Sequence, residues 1–139
     1  MSTSQLIIAA AECLNADSSS TLPNSVKEGI RTLEVSRDEL GGSTANLVSI
    51  TSTYCEVVKP NAPLHQRWAP LLTDSFRHSE HMVDQHLGIV VMLNTDLRKA
   101  LEREGGAYLT PFVTATEETI SSFAEVKSKM TECRKNIET

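Results

Sequence analysis

Between Val26 and Tyr54 an apolar side chain returns at every seventh residue: Val26, Leu33, Leu40, Leu47 and Tyr54. Seven residues are close to two turns of an α-helix, so the row stays on one face of a helix and gives it a continuous apolar seam. Ile30, Ile50, Val57 and Val58 widen the stripe. The same spacing recurs further on, in Phe76, Val83, Val90 and Leu97 and in a parallel row of Leu72, Leu93 and Ala100 that is interrupted by Ser79 and His86. A last row runs through Leu109, Phe123, Met130 and Ile137, with Thr116 as its polar member and Val113, Ile120, Val126 and Cys133 beside it.

These rows predict an all-α chain: an elongated antiparallel helical bundle of three long helices plus a short N-terminal helix, in a single domain over residues 1–139. The short helix spans about Thr3 to Ala16, with Leu6, Ile7, Ala10, Cys13 and Leu14 on one side. The loop DSSSTLPN follows. The first long segment runs from about Asn24 to Val58. Gly41-Gly42 falls inside it, and two mid-helix glycines cost about 1 kcal/mol each relative to alanine. They leave a kink, a close helix contact or a break open. Pro60, Asn61 and Pro63 end this segment. The second runs from about Leu64 to Arg103, and Pro70 places its regular start near Trp68. Gly105-Gly106 is a stop signal. The third opens at Thr110-Pro111, a cap followed by a first-turn proline, and continues to about Ile137. Segments of about 30 to 38 residues span roughly 45 to 55 Å at about 1.5 Å per residue. The connections are short enough for neighbours to fold back.

Composition agrees with helix-on-helix packing. Aromatic residues are 4% of the 139 and apolar residues 40%, so the core is built from Leu, Ile, Val, Ala and Met. The net charge is -5, with acidic and basic side chains alternating as on a solvated helix surface. No basic cluster exceeds two residues, and nucleic acid is not an expected partner, because tight binding needs many phosphate contacts. Cys13, Cys55 and Cys133 are far apart and lack CxxC spacing, which argues against a disulfide framework or a zinc knuckle. Cys13 and Cys133 lie on apolar stretches, where a free cysteine is a small hydrophobe in a reducing compartment. The first residues form a poor signal peptide, no run approaches a membrane span, and the expected location is cytoplasmic.

Residue patterns that carry chemistry are few. His78, His81 and His86 lie close together with Glu80 and Asp84 nearby, and His78, His81 and Asp84 share a helix face. Bundle metal sites draw Glu-x-x-His ligands from two helices, and a second set is missing here, so neither metal nor cofactor is expected. His78 and His81 are expected in solvent. The row through Leu72 and Leu93 places His86 at the seam, where a neutral buried histidine would make the bundle weaken as pH falls through the histidine range. The stretch LGGSTANL, Leu40 to Leu47, resembles the glycine-containing stretch of histidine-phosphotransfer bundles. The residue four before Gly42 is Asp38, so the reactive imidazole of that family has no counterpart. No GxSxG, P-loop or GxGxxG occurs, and no enzyme activity is expected.

What remains is the apolar surface. Ile89 to Leu93 are apolar in every direction around the helix, more than a three-helix core can cover from one side. Ile89 and Met92, with Asp96 at their border, form the candidate interface. The expected function is a non-catalytic protein–protein interaction or assembly module, a scaffold whose partner is another protein or a second copy of itself in a homodimer. The alternative shares long dimerising helices with membrane-associated BAR-type bundles, although its basic lipid-facing surface has no counterpart in an acidic chain.

Overall fold

The computed structural model describes Ile8 and residues 24–103 and 105–139. The expected short helix over Thr3 to Ala16 lies outside the described residues apart from Ile8. Among the described residues there is no strand. Three long helices carry the chain: α1 over Asn24–Thr53, α2 over Ala62–Leu101 and α3 over Thr110–Glu138.

Helix α1 runs through Gly41-Gly42 without a break and passes directly into a π-helical turn, Tyr54–Val58. The turn closes with a bond from the Lys59 amide to the Tyr54 carbonyl at 3.0 Å. Both glycines are exposed, and a Cβ on either would meet nothing within 4 Å. They serve neither as a hinge between two helices nor as a close contact.

Helix α2 starts well before Trp68. Asn61 caps it, accepting the Leu64 amide at 3.3 Å, and Pro63 occupies its first turn. Pro70 therefore lies inside the helix, where it withholds one backbone donor. The exposed ring faces solvent, so water can serve the carbonyl that loses this bond. The helix stops where the glycines predict. Gly105 has a φ of 77°, the left-handed region that glycine enters without strain. At Gly106 a Cβ would collide with the carbonyl oxygens of Ala100 and Leu101. A 3-10 turn, Gly106–Leu109, leads into α3. Thr110 does not cap this helix. It is the first helical residue, and its hydroxyl donates back to the Ala107 carbonyl at 2.8 Å.

The seven-residue rows become the core. On α1, Val26, Leu33 and Tyr54 are buried, and Leu40 and Leu47 pack half-buried against them. On α2, Phe76, Val83, Val90 and Leu97 are all buried. Along the 3-10 turn and α3 the whole row of Leu109, Thr116, Phe123, Met130 and Ile137 is buried.

Helix α3 packs along both others, whereas α1 and α2 hardly touch beyond the corner that joins them. Arg37 pairs with Glu118, and the Lys59 Nζ donates to the Asn136 carbonyl, so α1 and α3 run parallel. Asn94 bonds Thr116, Asp84 pairs with Lys127 and Arg77 with Glu138, so α2 runs antiparallel to α3.

His86 is exposed and not at the seam. Its row is buried only further on, at Leu93 and Ala100. Around His86 the neighbouring row takes the inner position, with Thr73 and Glu80 buried and Leu87 half-buried. A helix of 3.6 residues per turn drifts by about 20° per seven residues against a strict repeat. Near its end α2 is also covered by the Gly106–Leu109 turn and the start of α3. The inner face thus changes rows between Leu87 and Leu93, and the expected buried histidine is absent.

Because Gly41 and Gly42 occupy open helical positions, Gly41→Ala and Gly42→Ala should each stabilise the fold by about 1 kcal/mol. Urea unfolding measures this, and destabilisation by either alanine would show that the glycine serves a contact.

Candidate functional site

The run Ile89 to Leu93 divides by helix geometry. Val90 and Leu93 turn inward at 2% and 4% exposure, while Met92 is 69% exposed and Val91 43%. Ile89 and Asp96 are half-buried at the flank. Of the candidate interface, Met92 is the member presented fully to solvent.

A second apolar strip lies at the other end of α2. Leu64, Trp68 and Leu71 follow a four-three spacing and share one face, at 42%, 45% and 60% exposure. Val57, on the π-helical turn just before the corner, is also exposed. The Arg67 guanidinium carbon stands 5.6 Å from the centre of the Trp68 ring, within cation–π range. Sequence reasoning missed this strip because Pro70 argued against a regular helix there. The Asn61-Ala62-Pro63 sequence, a capping residue with a first-turn proline, was the available signal.

The corner behind the strip is fastened from within. The Tyr54 hydroxyl lies 2.8 Å from His65 Nδ1, and the two rings pack with centroids 5.8 Å apart. Burial, and to a lesser degree the nearby Cys55, pushes the Tyr54 hydroxyl's pKa up. The phenol therefore keeps its proton and can donate to the imidazole.

Helices α2 and α3 share a polar contact inside their seam. Glu80 is 8% exposed. One carboxylate oxygen accepts Arg134 Nε at 2.8 Å, and the other accepts the Thr131 hydroxyl. Arg134 also reaches Glu138, and Arg77 binds the same Glu138 at 2.8 Å. The bonds to Glu80, then those to Glu138, push the Arg134 pKa further up, so it stays cationic. Both Glu80 oxygens are engaged, which suits a register pin rather than an acid or base. His78 and His81 are exposed, with His81 Nε2 3.2 Å from the Gln85 amide. Among the described residues, no three His, Cys, Asp or Glu side chains converge on a point where a metal ion could be held.

A groove of about 500 Å³ runs between α1 and α3, lined among others by Thr51, Cys55, Lys59, Lys129 and Cys133. Both cysteines are free thiols, Cys133 buried and Cys55 half-buried. The Cys55 thiol faces the Asn136 carbonyl at 3.9 Å, a weak contact. Thr51 is 4% exposed, and among the described residues its hydroxyl finds no hydrogen-bond partner. Among the described residues no helix is long and apolar enough to cross a membrane. Comparison with protein-family models, with curated proteins and with solved structures found no match.

Two substitutions separate these polar groups. Glu80→Gln should destabilise the fold by about 1–3 kcal/mol, because it weakens the acceptor of a charged, largely buried donor. An unchanged urea midpoint would mean that the ion pair contributes nothing. Thr51→Val keeps the shape and removes an unsatisfied hydroxyl, so it should stabilise by about 1 kcal/mol, and a fall in stability would show that the hydroxyl has a partner such as bound water.

Proposed function

We propose that this chain is a non-catalytic interaction or assembly module that associates with a second copy or with another protein through the outer face of α2. The observation that carries the reading is an asymmetry between helices. Every large apolar side chain of α3 is at least half-buried, whereas α1 exposes Val35, Val48 and Ile50, and α2 exposes more than either neighbour: Leu64, Trp68, Leu71, Met82, Val91 and Met92. An isolated exposed leucine is ordinary, but apolar side chains that share one helix face, as Leu64, Trp68 and Leu71 do, mark a surface that can be covered by association. Two stretches offer themselves, residues 64–71 and the candidate interface of Ile89, Met92 and Asp96.

A cytoplasmic setting goes with this reading, since Cys55 and Cys133 are free thiols. The lipid-surface alternative has weaker support. Acidic side chains outnumber basic ones by 18 to 13, and anionic lipid selects a basic face.

Light scattering across a concentration series tests the proposal. The chain should associate in the micromolar range, and Trp68→Glu combined with Met92→Glu should weaken association by at least about tenfold, about 1.4 kcal/mol, with the helical circular dichroism signal retained. A chain that stays monomeric throughout would remove the support for self-association. Binding to anionic liposomes by that monomer would favour the lipid reading.

A further inference from the structure

We infer that the strip Leu64–Trp68–Leu71 is a two-fold contact with a second copy of this chain, formed by the first turns of α2 packed antiparallel against their equivalent. The inference rests on the self-association reading above and names its surface and orientation.

Leu64, Trp68, Leu71, Ser75 and His78 fall at intervals of four, three, four and three along one exposed face of α2. That is the seam pattern of a helix that packs against another helix. Arg67 and Asp74 precede Trp68 and Ser75 by one residue, so both border the strip on the same side, two turns apart. Both are exposed, and among the described residues neither forms an ion pair within the chain. In an antiparallel helix pair, residues of one flank face the same flank of the partner. A two-fold axis near Pro70 therefore sets each Trp68 against the Leu71 of the other copy. It sets each Arg67 opposite the other copy's Asp74, so two ion pairs of opposite sense close the same flank. An isologous contact requires a self-complementary patch, and this one is complementary in charge.

The other side of the strip belongs to the chain itself, where His65 is held by Tyr54 and Leu72 packs against the core. This edge of the contact is already rigid, so little conformational freedom is lost on docking. The stretch around Met92 lacks such complementarity. An antiparallel pairing of Ile89 with Met92 would set Gln85 opposite Asp96, leaving the carboxylate without a cation. The short strip implies a reversible dimer rather than an obligate one.

Sedimentation of the full chain with charge-reversed variants tests this. Arg67→Asp gives a copy acidic at both flank positions, and Asp74→Arg gives one basic at both. Each alone should weaken the dimer by at least about tenfold through like-charge repulsion. Mixing the two variants should restore it as a heterodimer, and the double reversal R67D/D74R should restore the homodimer. Restoration by mixing also shows that both variants are folded. If the single reversals leave a wild-type dimer intact while Met92→Glu dissociates it, the inference fails and the interaction reading stands. A wild-type chain that is monomeric throughout overturns the inference together with the self-association on which it rests.

Discussion

Helix α3 must satisfy two neighbours at once, and this requirement shapes the rest of the fold. Helices α1 and α2 hardly touch along their lengths, so each is held in place chiefly through α3. The inner arc of α3 is correspondingly complete. Phe112, Thr116, Thr119, Phe123, Val126, Met130, Cys133 and Ile137 are all buried and alternate in steps of four and three. The two threonines are 0% exposed, yet they cost little. Thr119 donates to the Ala115 carbonyl at 2.7 Å and Thr116 to the Val113 carbonyl at 2.7 Å, so each hydroxyl is satisfied by its own helix. Thr116 has a second role, accepting the Asn94 amide of α2 at 2.9 Å.

Apolar seams alone specify register poorly, because leucine and valine pack acceptably after a slip of one turn. The polar bonds along α2 and α3 remove that freedom. Asn94 to Thr116, Asp84 to Lys127 and Glu80 to Arg134 lie at successive levels of the same antiparallel pairing. A shift of one helical turn, about 5.4 Å, would break all three and leave the Glu80 carboxylate buried without its cation. The parallel pair α1 and α3 is held in the same way by Arg37 with Glu118 and Lys59 with Asn136.

Much of the framework was legible in the sequence because it is periodic. The rows Val26–Tyr54, Phe76–Leu97 and Leu109–Ile137 identify the three helices and their inner faces, since a seven-residue repeat on a helix has one structural meaning. Gly105-Gly106 was equally readable, because the turn demands a left-handed residue followed by one without a Cβ. What escaped depends on neighbours. His86 and Leu87 are adjacent, and which of them faces inward is decided by drift of the seam and by the cover that α3 supplies. Glu80 reads as one more surface acid until Thr131 and Arg134, more than fifty residues later, are brought beside it. Pro70 misleads for a related reason. Proline opposes a helix interior only by about 3 kcal/mol or more, an amount that the Asn61 cap, the Pro63 start and the Tyr54–His65 contact together can offset.

The candidate surfaces follow from the same division of labour. A helix in the middle of a three-helix arrangement spends its apolar side chains inward, and α3 presents Glu118, Ser121, Glu125, Ser128 and Glu132 to solvent. An outer helix needs only one inner stripe, so any apolar side chain beyond that stripe is surplus to folding. Helix α2 is also the longest of the three, at 40 residues. Its first turns lie ahead of Arg77, the point at which pairing with the end of α3 begins. Leu64, Trp68 and Leu71 thus sit where the fold itself asks least of them. The large apolar side chains exposed there add little to the stability of the single chain, and they are the surface on which the proposed association rests.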